Sequence, residues 1–113
     1  MDTAVTLGAY GENSKEAVEE SFKRLDEIDK MASTSIDKSD VYKINSSSGK
    51  VYVKVHPEIL KMIKTSIQYS KLSDGAFDIT TGPIINLWGI GTDNERLPSD
   101  EEIKAKLPLV GYE

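Results

Sequence analysis

Apolar residues recur at helical spacing over one long stretch near the start of the chain. Val18, Phe22, Leu25, Ile28 and Ala32 lie three or four apart, with charged residues between them. This spacing predicts an amphipathic helix from about Ser14 to Met31, opened by Asn13 with Glu16 three residues on as a capping pair. A second helical pattern runs through Ile59 or Leu60, Ile63 and Ile67, with Pro57 suited to its first position and Asp74-Gly75 to its stop. Ser99 and Glu102 form a Ser-x-x-Glu capping box ahead of Ile103 and Leu107, predicting a short helix between Pro98 and Pro108.

Alternation with period two appears in two places. Val5, Leu7 and Ala9 alternate with Thr6 and Gly8, and Val51, Val53 and Val55 alternate with Tyr52 and Lys54, so Thr3 to Ala9 and Lys50 to Val55 are expected to be strands. Leu109 to Glu113 reads as the beginning of another, one expected to be cut off there rather than to end naturally. Ser33 to Asn45 is a connection with a short turn or helix near Ser39 to Ile44, and Ser46 to Gly49 is a turn. The expected fold class is therefore α+β, with helices packed on a mainly antiparallel sheet.

Composition narrows the function classes. At 113 residues, 38% apolar and 29% charged, the chain has the make-up of a folded domain or of one part of a larger one. A net charge of −5, with lysines interspersed among carboxylates as in Lys23-Arg24 beside Glu19, Glu20 and Asp26, excludes the clustered basic surface that nucleic acid requires. The absence of cysteine removes disulfides, thiolate nucleophiles and cysteine metal sites. No run approaches the roughly 20 apolar residues of a membrane span, and the first residues lack a signal-peptide pattern. His56, the lone histidine, has no sequence-placed Asp or Cys partner and reads as an exposed or capping residue rather than a general base.

Asp74 to Gly91, DGAFDITTGPIINLWGIG, fits neither period. It holds four glycines and one proline among apolar residues. Glycines allow close backbone approach or positive φ, and exposed amides in such a turn can meet an anionic group such as a pyrophosphate. The plainer alternative is a buried loop in which Trp88 fills space and Asp78 caps a turn, holding Thr80 or a glycine amide.

This run resembles the signature of the FAD:protein FMN transferases, the ApbE-type proteins once labelled thiamine biosynthesis lipoproteins, in which D-G-A-[FLM]-D-[IP]-T-x-G-P-[LI]-x-x-L-W-G-[FI]-G recurs. Other segments follow in family order. Met1-Asp2-Thr3 resembles M-[GD]-T, Ser33-Thr34 through Ser39, Ile44 and Asn45 resembles S-T-x-x-x-x-S-x-[IL]-x-x-[IF]-N, and Pro98 through Gly111-Tyr112 resembles P-x-x-x-x-I-x-x-x-L-x-x-V-G-Y. The resemblance spans residues 1–113 and implies the N-terminal portion of a larger two-lobed α/β flavin transferase fold whose C-terminal half is absent.

The resemblance also implies an activity: splitting FAD, releasing AMP, and linking FMN through its phosphate to a threonine or serine of an acceptor flavoprotein, with Mg²⁺. By matched position the FAD contacts fall on Met1, Ser35, Ala76, Phe77 and Asp78. Family members often carry tyrosine where this chain has Ser35, and serine cannot stack on a ring. The Mg²⁺ ligands and catalytic groups are expected outside this chain, which would be inactive alone. The parent protein is expected to be exported and held at the membrane by a lipid. The alternative is a flavin-binding or interaction module without transferase activity.

Overall fold

Helices form where the apolar spacing calls for them, and the computed structural model, which describes residues 3–113, contains five. They are α1 (Ser14–Ala32), α2 (Asp40–Ser47), α3 (Pro57–Leu72), α4 (Gly82–Trp88) and α5 (Asp100–Lys106), followed by a 3₁₀ turn at Leu107–Leu109. None is long and apolar enough to cross a membrane among the described residues. The chain divides into two units, Met1–Leu60 and Lys61–Glu113.

In the first unit α1 packs on α2. Val18, Leu25, Ile28 and Ala32 are half-buried along α1, as their spacing predicts, while Phe22 stays exposed. Asn13 precedes α1 without making the expected side-chain cap. Ser39 does cap α2, its hydroxyl accepting from the Tyr42 N–H at 2.9 Å. Arg24 on α1 donates to Glu27 at 2.9 Å and to Glu58 at the start of α3. These two carboxylates raise the Arg24 pKa. Ile59 is the enclosed aliphatic side chain, 1% exposed, a burial that contributes roughly 2 kcal/mol.

In the second unit α4 packs against α5 and the 3₁₀ turn. Ser70 is fully buried and satisfies its hydroxyl by donating to the Ser66 carbonyl one turn earlier. α5 opens with the predicted capping box: Ser99 accepts from the Glu102 N–H at 3.3 Å, and Glu102 accepts from the Ser99 N–H at 2.9 Å.

The expected sheet is not found: no residue from 3 to 113 is in a strand. Alternation marks which residues could line a face, but a strand exists only when a neighbour completes its ladder of hydrogen bonds. Residues 4–10 and 51–56 have no such neighbour here and carry no regular structure. Their side chains are only partly covered: Val5, Val51 and Tyr52 are exposed, while Leu7, Val53 and Val55 are half-buried. The strand expected from Leu109 begins instead as the end of the 3₁₀ turn. The architecture observed is helix on helix, and the α+β expectation is corrected accordingly.

α4 lies inside the segment that matched neither period. Pro83 sits in its first turn and Gly89 ends it in the left-handed region at φ 59°, the usual asymmetry of proline at the start and glycine at the end. A Cβ on Gly89 would stand 2.5 Å from the Asn94 carbonyl oxygen, so glycine is required there twice over.

Candidate functional site

The Gly-rich segment starts with a reversal that ends α3. Asp74 and Gly75 take positive φ, and the Gly75 N–H returns to the Ser70 carbonyl at 2.9 Å. Ser73 then holds the next residues. Its carbonyl accepts from the Ala76 N–H and its hydroxyl from the Phe77 N–H at 3.0 Å. Ala76 and Phe77 are thus fixed through their backbones and left exposed, Phe77 at 47%.

Asp78 follows, half-buried, and organises the next turn. Its Oδ1 accepts from both the N–H and the hydroxyl of Thr80, each at 2.7 Å. Thr81 donates more weakly to the Asp78 carbonyl at 3.4 Å. This is the turn cap holding Thr80 that the sequence offered as an alternative role for Asp78. Both bonds fall on one carboxylate oxygen, so Oδ2 is the one suited to accept from a ligand hydroxyl or amine.

A second segment meets this turn. The Gly111 N–H donates to Thr80 Oγ1 at 2.8 Å. Tyr112 stands close to Gly75, its Cε1 only 3.4 Å from where a Cβ on that glycine would be. Between the turn and this segment lies an open recess of about 360 Å³ lined by Asp78 and by residues 108–113. That volume is at the low end for a small-molecule site.

The expected contacts are distributed as follows. Ala76, Phe77 and Asp78 are consecutive in the second unit, and Asp78 lines the recess. Ser35 belongs to the first unit, in a turn where its N–H donates to the Ser33 hydroxyl at 3.1 Å. Met1 lies outside the described residues. Trp88 is half-buried on α4, and its carbonyl accepts from the Arg96 N–H, which closes the loop after the helix. His56 is half-exposed at the start of α3, where its Nδ1 accepts from the Glu58 N–H at 3.3 Å. Its own N–H donates to Asp40, and this bond is the main cause of that carboxyl's lowered pKa.

Thr80 was named from sequence only as a group that Asp78 would hold, and Gly111 only as part of a motif; the bond between them was not foreseen. The signal available was Asp-x-Thr, the spacing at which a carboxylate caps the residue two positions on. Among the described residues no three His, Cys, Asp or Glu side chains gather as a group that could hold a metal ion.

The model of the ApbE family matches residues 1–113. The FAD:protein FMN transferase of Escherichia coli K12 is 32% identical over 108 residues, covering 94% of this chain and 31% of that protein. The FAD:protein FMN transferase of Vibrio cholerae is 32% identical over 91 residues, covering 79% of this chain and 27% of that protein. Among solved structures, the ApbE protein of Thermotoga maritima superposes with a TM-score of 0.84 at 33% identity, over 92% of this chain and 34% of that one. The apo flavinyl transferase ApbE of Pseudomonas stutzeri gives 0.76 at 33% identity, over 93% and 35%. The chain spans about a third of the length of these relatives. With its motif run, its Asp78 turn and a match over residues 1–113, the chain belongs to the ApbE family.

Proposed function

We propose that the protein is an FAD:protein FMN transferase and that this chain is its N-terminal, FAD-cradling portion, inactive by itself. The supporting observation is the Asp78 turn, set inside the DGAFDITTGPIINLWGIG run and lining an open recess with residues 108–113. In the reaction a threonine or serine hydroxyl of the acceptor flavoprotein attacks the FMN phosphorus of FAD. The new P–O bond forms as the bond to the AMP phosphate breaks, AMP leaves, and the hydroxyl proton is lost.

This chain's share is binding and orientation, worth much in phosphoryl chemistry because positioning dominates it. Asp78 offers Oδ2 to a ribose hydroxyl or exocyclic amine, and Ala76 and Phe77 supply backbone and ring surface beside it; Met1 and Ser35 are further contacts proposed from the family resemblance alone. Mg²⁺ would neutralise developing phosphate charge, with ligands outside this chain.

Large apolar side chains left uncovered, among them Leu72 at 80% and Leu97 at 87%, fit a surface that further parts of such a protein would cover. We also propose that the whole protein is exported and lipid-anchored. Cell fractionation finding it in the cytosol would remove that part.

The test is to incubate the full-length protein with FAD, Mg²⁺ and a flavoprotein acceptor and weigh the acceptor. An added FMN mass with release of AMP is expected. Tight FAD binding with neither product would favour a flavin-binding module, the alternative that the serine at position 35 keeps open.

A further inference from the structure

We propose that Thr80 is a positioning residue for flavin-nucleotide binding, its hydroxyl tying Asp78 to Gly111, both of which line the recess. The inference rests on the FAD-binding reading above. A backbone N–H can only donate, so the bond from Gly111 at 2.8 Å makes Thr80 Oγ1 an acceptor. Its single proton then goes to Asp78 Oδ1, 2.7 Å away. The hydroxyl is committed on both sides, to Asp78 and to Gly111, two residues that line the recess.

The tie joins residues 31 apart in sequence. Asp78 is held a second time by the Thr80 N–H, so the turn itself survives loss of the hydroxyl. What the hydroxyl alone supplies is the link to residues 108–113. No other side chain from the Asp78 turn has a hydrogen bond of this kind to that segment among the described residues. Valine has the same shape as threonine but neither donates nor accepts, and serine retains both capacities without the methyl.

The experiment compares full-length wild type with Thr80→Val, Thr80→Ala and Thr80→Ser. FAD affinity is measured by flavin fluorescence, exchange of the Gly111 amide by NMR or mass spectrometry, and steady-state kinetics with the acceptor. Thr80→Val and Thr80→Ala are each expected to weaken FAD binding by up to about tenfold, because the binding-competent arrangement is populated less once the tie is gone. Gly111 exchange should speed up, and KM for FAD should rise more than kcat falls. Thr80→Ser should stay within about twofold of wild type on every readout, because it retains the bond. Circular dichroism checks that each variant is folded, and Thr80→Ala carries the test if valine disrupts the turn.

If wild type binds FAD and the valine and alanine variants bind it equally well, the positioning role is wrong and the flavin reading stands. The role is likewise wrong if serine is as damaging as valine, since the methyl and not the hydroxyl then matters. If wild type binds no FAD, the flavin reading fails and takes the role with it.

Discussion

The turn at Ser33–Ser39 and the turn at Asp78–Thr81 use the same device, a short polar side chain that caps backbone N–H groups, yet they reach very different distances. In the first, Ser33 Oγ accepts from the Ser35 and Ile36 N–H groups, and Ser39 donates back to the Ser33 carbonyl. Every one of these bonds stays within six residues. In the second, Asp78 holds Thr80, and Thr80 passes the connection on to Gly111. A local turn shapes only itself, whereas a relayed one shapes the surface between two segments. The expected ligand contact in each follows suit, since Asp78 is the hub of its turn and Ser35 enters its own only by a backbone N–H.

Asp78→Ala should break this contrast most severely. It removes two half-buried bonds to Thr80 and loosens the Gly111 tie that depends on them, a loss of about 2 kcal/mol at the usual net value per bond. Urea denaturation should register it. Asp78→Asn keeps a side-chain oxygen for both bonds and should restore most of the stability, while an exchange of charge that left asparagine as unstable as alanine would show that the cap is not what matters.

Ser39→Ala should cost somewhat less, about 1–1.5 kcal/mol, because it deletes the α2 cap and a donor from a residue only 3% exposed. Its effect should remain local. Faster amide exchange confined to Tyr42 and its neighbours is expected. A change spreading far beyond α2 would mean that the first turn is relayed after all.

The sequence was legible where structure is local. α1 and α3 follow from apolar spacing, although the cap expected of Asn13 is not made, and α5 carries the very Ser99–Glu102 box its sequence spells. α4 was hidden because seven residues are too few for a period to emerge, though Pro83 and Gly89 bracket it. The strands failed for a different reason. Alternation at Val51, Val53 and Val55 describes a face, and pairing depends on a partner that no single segment encodes. Likewise the Asp78 cap was readable from Asp-x-Thr, while the bond from Gly111 joins residues whose approach only the folded chain sets.

A third capped turn sharpens the comparison with acid. Glu102 is held at about 2, against an ordinary 4.5, chiefly by the Arg96 side chain and then by the Ser99 N–H. A carboxyl whose pKa is lowered by folding stabilises the folded form fully above its ordinary value, and that support is lost as pH falls from about 4.5 towards 2. The α5 amides should therefore lose protection over that window, and Glu102→Gln should flatten the dependence. Because the pair is exposed, added salt should shrink the effect. Insensitivity to salt would mean the pairing is not electrostatic.

Ser35 provides the smallest expected change and the cleanest control. Its recorded bond is made by the backbone N–H, which any residue but proline retains, so Ser35→Ala should shift stability by less than about 0.5 kcal/mol. The residue's value to the comparison lies in the opposite substitution. If this position contacts flavin, Ser35→Tyr in the full-length protein supplies a ring at an exposed site, and offset stacking should tighten FAD binding by a few-fold, the scale of roughly 0.5–1.5 kcal/mol for a ring pair. Fluorescence titration would detect that gain. Unchanged affinity would leave the Ser33–Ser39 turn a purely structural device, with recognition resting on the Asp78 side alone.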